Sequence, residues 1–485
     1  MTDGLTTADA AATATSAGPR RLALISIAAL LVILTNAVVF LLPPLLPVIQ
    51  TQYQVTTVAA VTWIFTLLTL GGGAGFVVLP RLSDVIGDRS TAGIACAALT
   101  AGALTAAIGD SYPALLVGST VMGFGGAAQL LPLGFLRRSL GESGLATSVA
   151  VLVIATGIGI VVGMIGGGFI VEVLSLRDFF YILTACFAVT TAASILVIPH
   201  SRPADAGGSI PVVGAAWLIA WVGAILLALT QSAEWGSTAL IPLGIGLLGA
   251  FSWIQVQRRT SNPMFDHTLF KSPFVTVACV VIALIAAVNS AFLVLLSTYA
   301  QIDPSYLPPE DSYGLGLTSL QTGWLMVPFA VTFLIGGVVA ERPVAEGRGT
   351  SVLVAGALVS AAGLALLVVA HDQQWSYLVA SGVIGLGCAV VYSACFALVQ
   401  TAVDENKAGM AAAMAGTAMA IGFALGSALV TTVLGSSTVT VPGTDIELAA
   451  KGLYGPSYLL TIGLAALIVV TVLISRARTR AASHI

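Results

Sequence analysis

Charge is scarce in this sequence. Asp, Glu, Lys and Arg make up 8% of its 485 residues, where a soluble domain carries about 25%. Such a chain cannot cover a water-facing surface, and it offers no basic, aromatic-studded stripe for nucleic acid. Cysteine is sparse too. Cys96, Cys186, Cys279, Cys388 and Cys395 are odd in number and sit inside apolar stretches. They also lack metal-ligand spacing, which argues against a disulfide framework or a thiolate centre. The four histidines, His200, His267, His371 and His484, fall in connecting segments or the tail without partners at ligand spacing, so no metal is expected. No glycine-rich loop ends in Gly-Lys-Ser/Thr, which removes ATP as a direct energy source. No nucleophile–base constellation is readable, so neither an enzyme nor a bound cofactor is expected.

What the chain has instead is apolar length. Hydrophobic residues make up 58% of it and the mean hydropathy is +1.02. A bilayer core needs about 20 apolar residues per helical crossing, and the runs 22–50, 57–80, 92–109, 112–136, 144–173, 179–199, 210–231, 237–257, 273–301, 321–340, 350–370, 376–400, 408–434 and 455–475 meet that length. Period-2 alternation is absent, which leaves helices as the way to satisfy the backbone in lipid. The expected fold is all-α and polytopic with 14 transmembrane helices. An even number of spans puts both termini on one side. With that side inside, every Lys and Arg except Arg177 and Lys451 is cytoplasmic, as the positive-inside bias requires. Residues 1–21, alanine- and threonine-rich, read as a disordered cytoplasmic tail, and 477–485 as the C-terminal cytoplasmic tail. The arginine-rich, Ala/Gly/Val-rich composition suggests a GC-rich bacterium, hence a multi-pass protein of a bacterial inner membrane.

Internal repeats divide the chain. "VGSTVMGFGGA" (117–127) returns as "VASGVIGLGCA" (379–389), an offset of 262, and the same shift carries "LSDVIG" (82–87) onto "VAEGRG" (344–349). "GIVVG" (159–163) meets "GFALG" (422–426) one residue further on, and "NAVVFLL" (36–42) resembles "NSAFLVLL" (289–296) at 253. Two six-helix bundles, 22–200 and 273–476, are thus expected as pseudo-two-fold copies, with 201–272 as a two-helix insert and its linkers. Parallel repeats of this kind build secondary transporters whose substrate site lies between the halves near the midplane.

Scarce charge is concentrated at "LPRLSDVIGDRS" (79–90), which holds Arg81, Asp84, Asp88 and Arg89 in the turn between spans 2 and 3. Orientation explains the arginines but not the acids. Asp84, with Glu346 at its repeat position, suggests carboxylates that meet a partner from the other half and close the cytoplasmic side; Arg81, Gly87, Arg89 and Gly349 complete that candidate gate. "PRLSDVIGDR" (80–89) resembles the cytoplasmic-loop motif G-x-L-A-D-R-x-G-R-R of the major facilitator superfamily, keeping Leu82, Asp84, Gly87 and Arg89. "GIVVGMIGGG" (159–168) is similar to that superfamily's antiporter motif G-x-x-x-G-P-x-x-G-G, keeping Gly159, Gly163, Gly167 and Gly168 with Met164 for the proline. Fourteen spans, the insert, "NPMFDHTLFKSPF" and "SLQTGWLMVP" resemble the fourteen-span drug:proton antiporter branch. That resemblance covers the chain after residue 20 and implies alternating access. Two positions depart from it: Thr35 stands where the branch has a span 1 acid, and Ser119 where span 4 has an arginine. Proton antiport is therefore not carried over.

The residues agree with that departure. No Asp, Glu, Lys, Arg or His lies near a span's middle; Glu172, at the outer end of span 5, comes closest. A charge at the bilayer centre costs about 2.5–3.5 kcal/mol on insertion scales and marks ion pathways, so an uncharged path is expected. Asn36 and Asn289, central in repeat-related spans, are candidates for lining it, with Trp63, Trp324, Gln129 and Tyr392; interhelical packing and the aromatic belt are the competing roles. Gly159, Gly163, Gly167 and Gly168 in span 5, with Gly422 and Gly426 in span 13, read as close helix-packing sites. The function expected is a secondary active exporter of a small lipophilic compound, of the multidrug-efflux type. An uncoupled facilitator or lipid/metabolite permease of the same fold is the alternative, and a non-transporting receptor or scaffold ranks last. The expected partners are a small-molecule substrate and the bilayer, with no nucleic acid; proton coupling stays open and the protein is expected to be a monomer.

Overall fold

The computed structural model describes residues 4–201, 210–260, 272–310, 312–401 and 408–482. Among them are 14 helices long and apolar enough to cross a membrane. Spans 1–6 are Arg20–Gln52, Val58–Ile86, Asp88–Gly109, Tyr112–Leu136, Val151–Val173 and Leu176–Val197. Spans 7 and 8 are Val212–Thr230 and Gly236–Arg259. Spans 9–14 are Phe274–Ala300, Ser319–Ala345, Gly349–Ala370, Gln374–Val399, Gly409–Leu434 and Lys451–Ala477. The helix carrying span 1 begins at Gly4, in place of the irregular tail that the composition suggests; alanine's helix propensity accounts for this. Helix also continues from Leu131 to Val161, joining spans 4 and 5.

Close backbone approach organises each bundle. An ideal Cβ on Gly102 would lie 2.5 Å from the Gly118 carbonyl oxygen, and one on Gly118 would lie 2.5 Å from that of Gly102, so spans 3 and 4 meet where neither carries a side chain. Gly159 and Gly163 bring span 5 onto the carbonyls of Ile33 and Ala37 in span 1, each 2.6 Å from the ideal Cβ. Gly422 and Gly426 do the same for span 13 against Ala283 and Ala287 in span 9, at 2.1 Å. Because the glycine strings are repeat partners, the two bundles use one packing scheme. Measured by these contacts, spans 1 and 9 correspond at an offset of 250 (33 to 283 and 37 to 287), against 253 asparagine to asparagine. Asn36 and Asn289 therefore stand about one helical turn apart within the repeat. Span 5 also contains a π-helical turn, Val162–Gly166.

Burial separates centre from rim. The most apolar windows of spans 2 and 9 are 83% and 89% buried, those of spans 6 and 8 only 22% and 17%. The bundles meet through span 2 against span 13 and span 5 against span 10. The Thr66 and Ser427 hydroxyl oxygens are 3.3 Å apart, Thr417 donates to the Gly73 carbonyl (3.1 Å), and Gly416 rests on the Phe76 ring. Toward the face opposite the chain termini, Gly168 packs on the backbone at Ser319, and Gln301 donates to Pro44 across the junction (2.8 Å). A short hairpin on that distal face, β1 (Thr438–Thr440) with antiparallel β2 (Glu447–Ala449), reaches the first bundle: the Glu447 amide donates to the Thr56 carbonyl at 2.8 Å. The two bundles thus touch each other on the distal side.

Spans 7 and 8 pack on each other, with Trp253 donating to the Gly214 carbonyl (2.9 Å). Span 7 lies along the seam of spans 2 and 13. Leu218, Val222 and Leu226 join one cluster with Leu70, Val77, Ala424 and Ala428, and Thr432 donates to the Leu229 carbonyl at 3.1 Å.

Candidate functional site

Two polar pairs occupy repeat-related helix pairs. In the first bundle, Asn36 of span 1 donates to Gln129 of span 4 (3.3 Å) and back to the Val32 carbonyl (2.9 Å), with both side chains half-buried. Gln129 is held in a 3₁₀ turn, Ala127–Leu130, that interrupts span 4. In the second, Asn289 of span 9 adjoins the Tyr392 hydroxyl of span 12. Yet Asn289 Oδ1 and the Tyr392 hydroxyl are buried without a hydrogen-bond partner. The first pair is joined by a hydrogen bond; in the second the two side chains adjoin each other, and Asn289 Oδ1 and the Tyr392 O–H find no further partner.

Between them runs an aromatic ladder that the sequence did not single out. Phe333 lies 6.0 Å from Tyr392, Phe329 5.8 Å from Phe333 and Phe292 6.3 Å from Phe329, centroid to centroid. Phe40 of the first bundle closes on Phe329 at 6.4 Å. Phe65 and Phe423 meet edge to face across spans 2 and 13 at 6.2 Å. Phe40 and Phe329 come from different bundles, so the ladder crosses the junction of the halves.

The positions that depart from the drug-antiporter pattern are turned to backbone. Thr35 is buried and donates to the Leu31 carbonyl (2.7 Å), Ser119 to Leu116 (3.0 Å), and Ser381 to Leu325 of span 10 (2.7 Å). Glu172 is exposed.

The structure does not bring the tryptophans to the asparagines. Trp63 points to the insert, its indole donating to the Thr230 hydroxyl of span 7 at 3.3 Å. Trp324 is 55% exposed and heads the stripe Trp324, Val331, Ile335, Val338, the outward face of span 10. Both belong to packing and to the membrane boundary, since neither borders the ladder.

The turn at 81–89 is tied to its own bundle. Gly87 has φ 86° and ψ 161°, and an ideal Cβ there would lie 2.8 Å from the Ser201 carbonyl oxygen; glycine alone adopts this conformation readily. The Asp88 amide donates to the Ser201 hydroxyl (2.9 Å), and Arg89 donates to His200 Nδ1 (2.8 Å). Arg81 and Asp84 are half-buried and both engaged. In the second bundle Glu346 pairs with Arg348 of its own turn at 3.6 Å. Gly349, matched to Gly87 by the sequence offset, opens span 11 as ordinary helix; the positive φ falls at Gly347 (77°). The cause is turn length, for only Gly87 separates spans 2 and 3, whereas residues 346–348 separate spans 10 and 11. Among the described residues, no ion pair joins the two turns.

Comparison with known proteins agrees with this architecture. The family model described as Major Facilitator Superfamily matches residues 25–427 and 278–483. The chain is 24% identical over 400 residues to "Multidrug resistance protein Stp" of Mycobacterium tuberculosis, covering 80% of this chain and 71% of that protein. It is 26% identical over 442 residues to "Puromycin resistance protein pur8" of Streptomyces alboniger (87% and 83% covered), and 27% over 419 residues to "Cephamycin export protein CmcT" of Amycolatopsis lactamdurans (82% and 81%). Among solved structures, the nucleoside transporter NupG superposes with a TM-score of 0.63 at 15% identity, covering 94% of this chain and 99% of that one. The human organic anion transporter MFSD10 gives 0.60 at 14%, covering 93% and 99%.

Proposed function

The chain belongs to the Major Facilitator Superfamily, and on that premise we propose that it exports a small, uncharged, lipophilic compound by alternating access. Relatives named for multidrug resistance, puromycin resistance and cephamycin export support efflux. The observation that carries the substrate class is the pathway itself. It combines a ladder of phenyl rings with the unfilled Asn289 and Tyr392 atoms, among spans without an Asp, Glu, Lys, Arg or His near their middle. Such a site holds its ligand by ring contact and one or two hydrogen bonds, and would oppose a charged one.

In this reading the terminus-bearing face is cytoplasmic in a bacterial inner membrane, and the contacts between the bundles on the distal side support a cytoplasm-facing resting state. Glu346, paired within its own turn, is then released from the gate, and Asp84, Arg81 and Arg89 would bear on the second bundle when the cytoplasmic side closes. Asp84→Asn is expected to slow export at equal expression; unchanged rates would remove the gate role.

The test of the whole reading is loss of a preloaded neutral lipophilic dye from intact cells. Cells making the protein should clear it faster than cells making the Asn289→Ala/Tyr392→Phe double variant, and equal clearance would sink the assignment. A second reading, an uncoupled facilitator, draws on Thr35 and Ser119, whose hydroxyls turn to backbone where coupling charges would stand. Substrate-induced proton movement in proteoliposomes separates the two.

A further inference from the structure

A second site lies outside the pathway, at the terminus-bearing ends of spans 1, 3 and 6. There a cavity of about 500 Å³ is lined by Arg20, Arg89 and His200 on one side and by Ala23 and Leu196–Pro199 on the other. We propose that this cavity binds the phosphate of an anionic phospholipid from the adjoining leaflet.

Its polar wall consists of donors. Arg89 donates to His200 Nδ1 at 2.8 Å, so the proton of the neutral imidazole sits on Nε2, which remains free to donate outward. The other Arg89 N–H groups and the Arg20 guanidinium add more donors. Among the described residues, no acid lines the cavity. Asp88, next in sequence to Arg89, is 2% exposed and accepts from Ser83, so it faces inward. Among the described residues Arg20 and Arg89 have no carboxylate partner, and two cations side by side without one attract an anion.

The other wall specifies a lipid rather than a free ion. Leu196 is 79% exposed, and Ile195, Val189 and Ile182 continue the exposed apolar face along span 6. Leu22, 67% exposed, adds to it from span 1. A headgroup phosphate in the cavity leaves its acyl chains lying along that face. The cavity also touches the turn that holds Gly87, through Arg89 and His200, so an occupied site would brace spans 1, 3 and 6 beside the candidate gate.

The experiment uses the purified full-length protein, stripped of lipid in an uncharged detergent. It is titrated with dioleoylphosphatidylglycerol, with thermal unfolding as the readout. Saturable stabilisation is expected with that lipid, and little with dioleoylphosphatidylcholine, inorganic phosphate or glycerol 3-phosphate. At about 1 kcal/mol per basic residue near an anionic headgroup, Arg20→Gln should weaken half-saturation about fivefold and Arg20→Gln/Arg89→Gln about thirtyfold. Arg258→Gln/Arg259→Gln, which removes the basic pair ending span 8, should leave it unchanged. Arg20 is exposed, so the single variant keeps its fold and stands as the test if the double variant does not. Equal response to phosphatidylcholine would overturn the headgroup site, equal response to phosphate would make it a free-anion site, and undiminished binding by Arg20→Gln would place the lipid elsewhere.

Discussion

Asn289 and Tyr392 sit in spans 9 and 12 with polar atoms that find no partner in the protein. Leaving a buried donor or acceptor unfilled costs about 1–3 kcal/mol, so a ligand that fills them recovers part of that cost on binding. Opposite signs follow for one substitution: Tyr392→Phe should raise the thermal stability of the empty protein while weakening substrate binding about fivefold, the equivalent of 1 kcal/mol. Both are read on one preparation, and a stability loss would mean that the hydroxyl has a structural partner. On the distal face a different residue sets a pH response. Tyr299 donates to Asp372, which also faces His371 Nε2 at 4.0 Å and Lys451 Nζ at 3.7 Å. The Tyr299 hydrogen bond first, then the neighbouring His371 and Lys451 side chains, hold this carboxyl below its ordinary value of 3.8. A depressed folded-state pKa contributes stability in full above the unfolded value and loses it as pH falls through the lowered one. Unfolding scans should therefore show Asp372→Asn losing stability relative to the parent at pH 6, with the gap shrinking below about pH 4. Asp372 is 57% exposed, so solvent screening keeps the effect small.

At the scale of elements, glycine placement decides which helices touch. Gly163→Val and Gly426→Val each drive a side chain into a carbonyl, at 2.6 Å on Ala37 and 2.1 Å on Ala287. Overpacking of this kind costs about 1–3 kcal/mol, and both variants should unfold at lower temperature. Gly463→Ala in span 14, with nothing within 4 Å, should instead gain about 0.5–1 kcal/mol from helix propensity; the three are compared in one thermal series. These glycines were readable because spacing alone marks small-residue seams. The spans were readable because length and apolarity suffice. Facing was not. In a soluble helix the polar side reveals the buried side, but here lipid-facing and protein-facing residues are both apolar and the contrast vanishes. So Trp324, which heads a lipid-facing stripe, and Phe329, which stands in the central ladder, look alike in the chain. The same ambiguity hid the turn of Trp63 toward span 7. Gly347 was missed for another reason: a two-residue difference in turn length slid the repeat past it.

For the molecule as a whole, the distal junction must open if the two bundles rock. Its contacts are of two strengths. The hairpin and Gln301 add two hydrogen bonds, from the Glu447 amide to the Thr56 carbonyl and from the Gln301 side chain to the Pro44 carbonyl. Beneath them lies the broad apolar seam of spans 2 and 13, where Phe65 meets Phe423. Parting such a seam exposes apolar side chains to the opened pathway, so it carries a hydrophobic cost that the contacts formed on the opposite face have to offset. Span 7, packed on both sides of the seam through Leu218, Val222 and Leu226, has to slide on at least one of them as it opens. A covalent staple tests whether this separation is obligatory. The Thr66 and Ser427 hydroxyl oxygens lie 3.3 Å apart, one in each bundle, near enough for a pair of cysteines to bridge with little backbone movement. In Thr66→Cys/Ser427→Cys, oxidation should stop transport and a reductant should restore it, while each single variant stays insensitive to both. Transport that continues with the crosslink formed would mean that substrate leaves without parting spans 2 and 13, and the rocking of whole bundles would give way to a local exit through spans 5 and 10, where Gly168 meets Ser319.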